Sequence, residues 1–238
     1  MHLFSDPHSR GYARITGLFY MIIAAAGFFA ILYVPGQLFT PGDGAASLAA
    51  IAGRRGLFNA GVGGDVAVML AELMATAMLY FMFRHVSETL AFAAALARLM
   101  MVAVMAAMLF HYAAALALAG PELAGIAGET RAALGALMLH LHDTGVVIWQ
   151  LFFWAHLLIL GQLVAGSGLY PRLLGHAMSL GSFGYLLDSL NKFLAPDGAA
   201  LGIATGALLV VVSLAEISFA LWLIIRGPQP ARISGADK

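Results

Sequence analysis

Leu90–Ala119 reads LAFAAALARLMMVAVMAAMLFHYAAALALA, thirty residues in which Arg98 is the one side chain charged at neutral pH. A bilayer's hydrocarbon core of about 30 Å is crossed by about 20 mostly apolar residues in helical form. Ala, Leu and Met, which dominate the run, are strong helix formers. Strands of a membrane barrel would show segments of about ten residues with alternating polarity, and this run is three times longer and continuously apolar. It predicts a membrane-spanning helix that carries one arginine in its interior.

Five similar segments lie on either side: Tyr12 to Val34, Leu57 to Phe83, Thr144 to Val164, Leu173 to Leu194 and Leu201 to Ile225. Breakers separate the six: Pro35-Gly36 and Pro41-Gly42, Arg84-His85, Gly120-Pro121, Gly166-Ser167-Gly168 and Pro196-Asp197-Gly198, with Pro228 and Pro230 after the last. These are the expected turn signals. The expected fold is therefore all-α: one polytopic membrane domain over residues 1–238 with six spanning helices. Asp43 to Arg55 reads as a short helix on the membrane surface, with Asp43 as N-cap and Leu48, Ile51 and Ala52 as its apolar set. Glu129 to Leu141 reads as a lead-in to the fourth spanning helix.

The composition agrees. Of 238 residues, 62% are hydrophobic and only 10% charged, and the mean hydropathy is +0.91. A soluble domain averages about 25% charged residues, and disorder needs low hydrophobicity, so both are excluded. Twelve basic residues balance twelve acidic ones, which leaves no basic excess to hold nucleic acid. With no cysteine, disulfides, iron–sulfur clusters and thiolate zinc sites are impossible.

Lysine and arginine accumulate on the cytoplasmic side of membrane proteins. With the N-terminus inside, the inner segments hold Arg10, Arg14, Arg84, Arg172, Arg226, Arg232 and Lys238, and the outer loops hold Arg54, Arg55, Arg131 and Lys192. Seven against four places both termini in the cytoplasm. Arg10 and Arg14 ahead of an apolar run resemble a signal peptide. The run continues through Phe28, Phe29, Ile31, Leu32 and Val34, however, beyond the 7–15 residues of a signal core, so an uncleaved first helix is expected.

Ionisable groups inside a bilayer are costly and usually face the bundle interior, often at functional sites. At a rise of 1.5 Å per residue they fall into two layers. The outer one holds Asp65, His111, His140, His142, Asp143, Tyr185, Asp188 and Asn191. The deeper one holds Glu72, Arg98, His156 and Glu216. In the deeper layer Arg98 needs a counter-charge, from Glu72 or Glu216, and the set reads either as a structural lock or as a functional site. In the outer layer Asp65, His111, His142 and Asp188 are ligand types suited to zinc or another divalent metal. The bland alternative is a hydrated helix-end network, since no HxxxH or HExxH spacing is present.

Several stretches together resemble a bacterial family of six-helix membrane proteins labelled domain of unknown function 4386. They are Ala13-Arg14-Ile15-Thr16-Gly17-Leu18-Phe19-Tyr20, Pro41-Gly42-Asp43, Ala97-Arg98-Leu99, Leu141-His142 with Gly145, Phe152-Phe153 with His156, Ser167-Gly168 with Pro171-Arg172, Gly184-Tyr185-Leu186 with Asp188, and Glu216 with Trp222-Leu223. The resemblance implies that Asp65, Arg98, His142, His156, Asp188 and Glu216 belong to one polar design. It implies no chemistry.

The reading these residues favour is a multi-pass protein of the bacterial inner membrane. Its polar cavity, lined by Asp65, Glu72, Arg98, His111, His142, His156, Tyr185, Asp188 and Glu216, would bind a small or lipophilic ligand for sensing or transport. A second reading is a metal-dependent hydrolase, in which histidine and aspartate hold a metal whose bound water is activated. Haem held by two histidines and a structural subunit of an oligomer or larger membrane complex are further alternatives.

Overall fold

The computed structural model describes residues 4–194 and 199–229, the side chains of 199 and 200 excepted. The expected turn at Pro196-Asp197-Gly198, together with Pro230, Arg232 and Lys238, lies outside them. The described chain is helical and contains no strand. Its helices are α1 (Arg10–Leu38), α2 (Gly44–Gly53), α3 (Arg55–Phe83), α4 (Glu88–Ala119), α5 (Gly128–Gly166), α6 (Arg172–Leu194) and α7 (Ala199–Ile225). Five of them, α1, α3, α4, α5 and α7, are long and apolar enough to cross a membrane. Large apolar side chains lie bare on their surfaces, Phe28 on α1, Phe110 on α4 and Ile203 on α7 among them. Water would penalise such a surface, whereas lipid accepts it. The chain is a multi-pass membrane protein.

Two helices depart from the sequence reading. Pro35-Gly36 was expected to end the first helix, yet α1 runs to Leu38. Proline has no N–H to give its helix and crowds the preceding turn. A π-helical segment, Phe28–Tyr33, immediately precedes it, and the Val34 N–H bonds back to the Phe29 carbonyl. The widened turn absorbs the proline. The second departure is α6. It spans 23 residues but does not reach the apolarity of the other five. Two features explain this: it carries Arg172, His176, Asp188, Asn191 and Lys192, and its buried face, apart from Met178, is Gly175, Gly181, Ser182, Gly184 and Ser189, small or hydroxylated residues suited to close approach.

The chain separates into two compact units. The first comprises residues 1–21, 72–101 and 150–238, and the second residues 22–71 and 102–149.

In the first unit, α6 lies against α5 and α7 through glycines. A Cβ on Gly161 of α5 would stand 2.5 Å from the Gly175 carbonyl, and one on Gly181 would stand 2.6 Å from the Val212 backbone nitrogen. Tyr20, Phe83, Tyr170 and Phe219 form an aromatic cluster with ring centroids 5.6–5.9 Å apart along the chain of contacts. Arg10 and Arg14 donate through Nε to the carbonyls of Arg226 (3.2 Å) and Ile224 (3.1 Å). They thus satisfy carbonyls that the end of α7 leaves without partners.

In the second unit, Asp43 caps α2 as expected, its Oδ1 accepting from the Ala46 N–H at 2.8 Å. Leu48 and Ile51 of α2 enter a core built from Val34, Leu38, Phe58, Tyr112, Ala115, Leu118 and Leu139. Ala52, expected beside them, faces outward. The lead-in expected at Glu129 to Leu141 is continuous with the helix that follows, so that α5 is 39 residues long.

Two expectations follow. Gly181→Val drives a side chain into backbone that cannot move aside, and overpacking of this kind costs about 3 kcal/mol. Thermal unfolding in detergent should register that loss, while Gly206→Val on α7, whose Cβ meets nothing within 4 Å, should be neutral. The second concerns the histidine pair at the start of the first unit, where His8 Nε2 lies 3.1 Å from His85 Nδ1. Burial, and then the charge of His8, holds the His85 pKa below its ordinary 6.5, partly offset by a hydrogen bond to Met82. A histidine that binds protons less well folded than unfolded stabilises the fold above its unfolded pKa, and the contribution fades as the pH falls towards the lower, folded value. An NMR titration of the His85 ring should give a midpoint below 6.5, and His8→Ala should raise it.

Candidate functional site

The first unit encloses a buried guanidinium. Arg98 of α4 is 1% exposed, and a charge so placed needs partners. Its Nε donates to Glu72 Oε2 of α3. Its Nη1 donates to the Tyr20 hydroxyl of α1 at 2.8 Å and meets His156 Nε2 of α5 at 2.9 Å. The Tyr20 ring also lies 4.8 Å from the guanidinium carbon. His156 Nδ1 is 2.9 Å from the Ala94 carbonyl, which can only accept. The Nδ1 therefore carries the proton, and Nε2 presents its lone pair to Arg98. His156 is thus neutral, and every contact in the set has a donor and an acceptor. Arg98 pairs with Glu72, the nearer of the two candidates named from sequence. Glu216 of α7 is partly buried and stays within electrostatic reach of Arg98 and Glu72. The cavity beside His156, lined also by Thr76 and Tyr80, measures about 10 Å³, room for one water at most.

The second unit holds an incompletely satisfied cluster. The His142 ring of α5 lies parallel to the Tyr112 ring of α4, centroids 3.6 Å apart and planes inclined by 6°. Phe58 of α3 and Phe39 pack on the other sides of Tyr112 at 5.3 and 5.8 Å. Tyr112 and His142 are each 4% exposed, yet neither the Tyr112 hydroxyl nor His142 Nδ1 has a hydrogen-bond partner among the described residues. His142 Nδ1 does lie 3.8 Å from the carboxylate of the exposed Asp143, a charge contact if the ring is protonated and too long for a hydrogen bond. The buried Nδ1 of His111 is unpartnered as well. Asp65, 6% exposed, sits one heptad beyond Phe58 on α3 and so on the same helix face. Its carboxylate is within electrostatic reach of the Tyr112 hydroxyl. Among the described residues no lysine or arginine forms an ion pair with it.

The residues expected to act together thus divide. Glu72, Arg98, His156 and Glu216 fall in the first unit, and Asp65, His111 and His142 in the second. Tyr185 and Asp188, expected with the second group, belong to the first unit. Tyr185 meets Phe153 edge-on at 5.0 Å, and Asp188 is bound by Lys192, one turn along α6, at 2.7 Å. The metal set expected from Asp65, His111, His142 and Asp188 is not assembled. Among the described residues no group of three or more histidine, aspartate or glutamate side chains converges as metal ligands, and Asp188 already has its cation. Two participants were missed from sequence, Tyr20 and Tyr112. Tyr20 had a signal: Tyr12, Thr16 and Tyr20 are all buried and recur every four residues, a hydroxyl stripe on one face of α1.

The family comparison agrees with the fold. The family described as a domain of unknown function, DUF4386, matches residues 15–227, and the chain belongs to it. The chain is also similar to a protein of Archaeoglobus fulgidus described as "Uncharacterized protein", with 38% identity over 77 residues. That stretch is 32% of this chain and 43% of the relative, so the chain spans less than half of that protein's length. No solved structure matches the chain.

Removing one member of a buried ion pair strands the other charge and typically costs 3–5 kcal/mol, whereas replacing both with apolar residues is often neutral. Arg98→Ala should therefore destabilise the protein by about 4 kcal/mol in denaturant or thermal unfolding. The double variant Arg98→Met/Glu72→Leu should recover most of that loss. A double variant as unstable as the single one would show that the pair does more than neutralise itself.

Proposed function

We propose that this protein spans the bacterial cytoplasmic membrane six times, with both termini in the cytoplasm, and binds a small lipophilic ligand for sensing or transport. The ligand site in this reading is the cluster of Asp65, Tyr112 and His142, with His111 of the same helix α4 beside Tyr112 in sequence but on another face. One observation carries it: the Tyr112 hydroxyl and His142 Nδ1, on two stacked and buried rings, have no hydrogen-bond partner among the described residues. Buried polar groups in native proteins are rarely left so, and a group stranded without a partner costs about 1–3 kcal/mol. A ligand bearing hydrogen-bonding groups would relieve that cost, and the Asp65 carboxylate gives the site a preference for a donor or a positive charge. In the first unit Trp154 Nε1, Asn191 Oδ1 and Thr205 Oγ1 also lack partners among the described residues, but none of these three stacks on another such group among them.

The six-span topology rests on the length of α6 and on the seven-to-four distribution of basic residues. Arg98 and its partners take the part of a lock in this reading, because they bond to one another and the cavity beside them holds one water at most.

Native mass spectrometry of the protein purified in mild detergent tests the site. The wild type should retain a small molecule from the membrane. Tyr112→Phe and His142→Ala should each lower its retention at least about tenfold, the effect of losing one hydrogen bond to a buried partner. Circular dichroism should stay that of the wild type, and Tyr112→Phe, which keeps the buried ring, separates lost binding from the lost packing of His142→Ala. Retention unchanged by both variants would overturn the assignment.

A further inference from the structure

A different feature of the second unit points to a lipid. Helix α2 has two faces. Gly44, Leu48 and Ile51, spaced as one helical face, are buried. Gly44 sits against the Ala132 carbonyl of α5 so closely that a Cβ there would collide with it. Leu48 covers Gly135, also of α5, where a Cβ would lie 2.8 Å from the leucine side chain. Ala45, Ala49 and Ala52, one position further round, are exposed. They form a wall of a groove of about 280 Å³, whose floor and far side include Ala119, Ala132 and Arg131. Every wall residue except Leu48 and Arg131 is alanine or glycine. The groove exists because its side chains are short, and its surface is mostly apolar.

Arg131 brings the only charge among the lining residues. Its Nε donates to the Leu118 carbonyl and its Nη2, at 3.3 Å, to the Gly120 carbonyl, which anchors the guanidinium at the C-terminal end of α4. This much is capping. It leaves Nη1 without a hydrogen bond, and no carboxylate forms an ion pair with Arg131 among the described residues. An arginine fixed by its own backbone neighbours, with a donor to spare, is a preorganised receptor for an oxyanion. An apolar trough beside it accepts hydrocarbon.

We propose that this groove holds one acyl chain of an anionic membrane phospholipid, with the headgroup phosphate against Arg131. The chain-binding part belongs to the alanine wall and the headgroup preference to the arginine, so the two are separable by mutation. The site shares no polar group with the Tyr112–His142 cluster, and it stands or falls independently of the function proposed above.

The full-length protein would be reconstituted in vesicles of equal parts phosphatidylcholine and phosphatidylglycerol, then extracted in mild detergent. The lipids retained would be counted by native mass spectrometry. The wild type should retain phosphatidylglycerol over phosphatidylcholine by about fivefold, the preference one basic side chain gives at an anionic surface. Arg131→Gln should retain both lipids equally. Ala49→Phe fills the groove without touching the arginine, and it should lower retention of both lipids, which keeps the test informative should Arg131→Gln misfold. Arg55→Gln, outside the groove, should change nothing. Equal retention of the two lipids by the wild type would overturn the proposal. So would wild-type retention in Ala49→Phe, or retention of added free palmitate with no phospholipid.

Discussion

A guanidinium taken into a lipid-surrounded bundle has no water to fall back on, and Arg98 makes the first unit answer that need. Its partners come from three other helices, Tyr20 from α1, Glu72 from α3 and His156 from α5, around Arg98 on α4. Each helix is otherwise apolar nearly all round, so hydrophobicity alone would tolerate many rotations about its axis. The hydrogen bonds do not. They fix the facing side of four helices at once, and the tautomer of His156 is fixed with them through Ala94. Helix α6 then joins by a different device, backbone meeting backbone across Gly161, Gly175 and Gly181. Polar pairing sets rotation and missing side chains set distance. Inside a membrane both substitute for the hydrophobic effect, which gives little drive to helix association there.

That comparison distinguishes the polar groups from one another. Intramembrane charge is costly wherever it occurs, but the arginine set bonds within itself, with Arg98 held by Glu72, Tyr20 and His156, and the adjoining cavity is no larger than a water. The cluster around Tyr112 and His142 is open. Among the described residues, two stacked rings present unpartnered atoms within electrostatic reach of a carboxylate that forms no ion pair with lysine or arginine. The arginine set is mutually bonded and the tyrosine–histidine pair is not, and this difference, rather than the number of polar residues, is what the proposed ligand site rests on.

Much of the fold was legible because apolar runs and breakers are local signals. The cores of the long helices follow from length alone, and the Asp43 cap from its side chain. The end of the first helix was not, since a π-helical turn that absorbs Pro35 depends on backbone adjustment no residue type announces. The polar residues were legible as ionisable groups in apolar runs, but not their partners. His111 stood out as ionisable, whereas Tyr112, the next residue, is the one that enters the core. One residue turns a helix by about 100°, and α4 carries apolar side chains on every face, so its sequence does not say which side looks inward. Depth along the helices grouped Asp188 with Asp65, without anticipating that the lysine one turn away on α6 binds Asp188.

The most direct measurement is a high-resolution structure of the full-length protein in a lipid nanodisc. The expected result is density not belonging to the chain within hydrogen-bonding distance of the Tyr112 hydroxyl and His142 Nδ1, with Arg98 contacting only Tyr20, Glu72 and His156. A structure in which Tyr112 and His142 find partners within the protein itself, with no ligand beside them, would contradict the account.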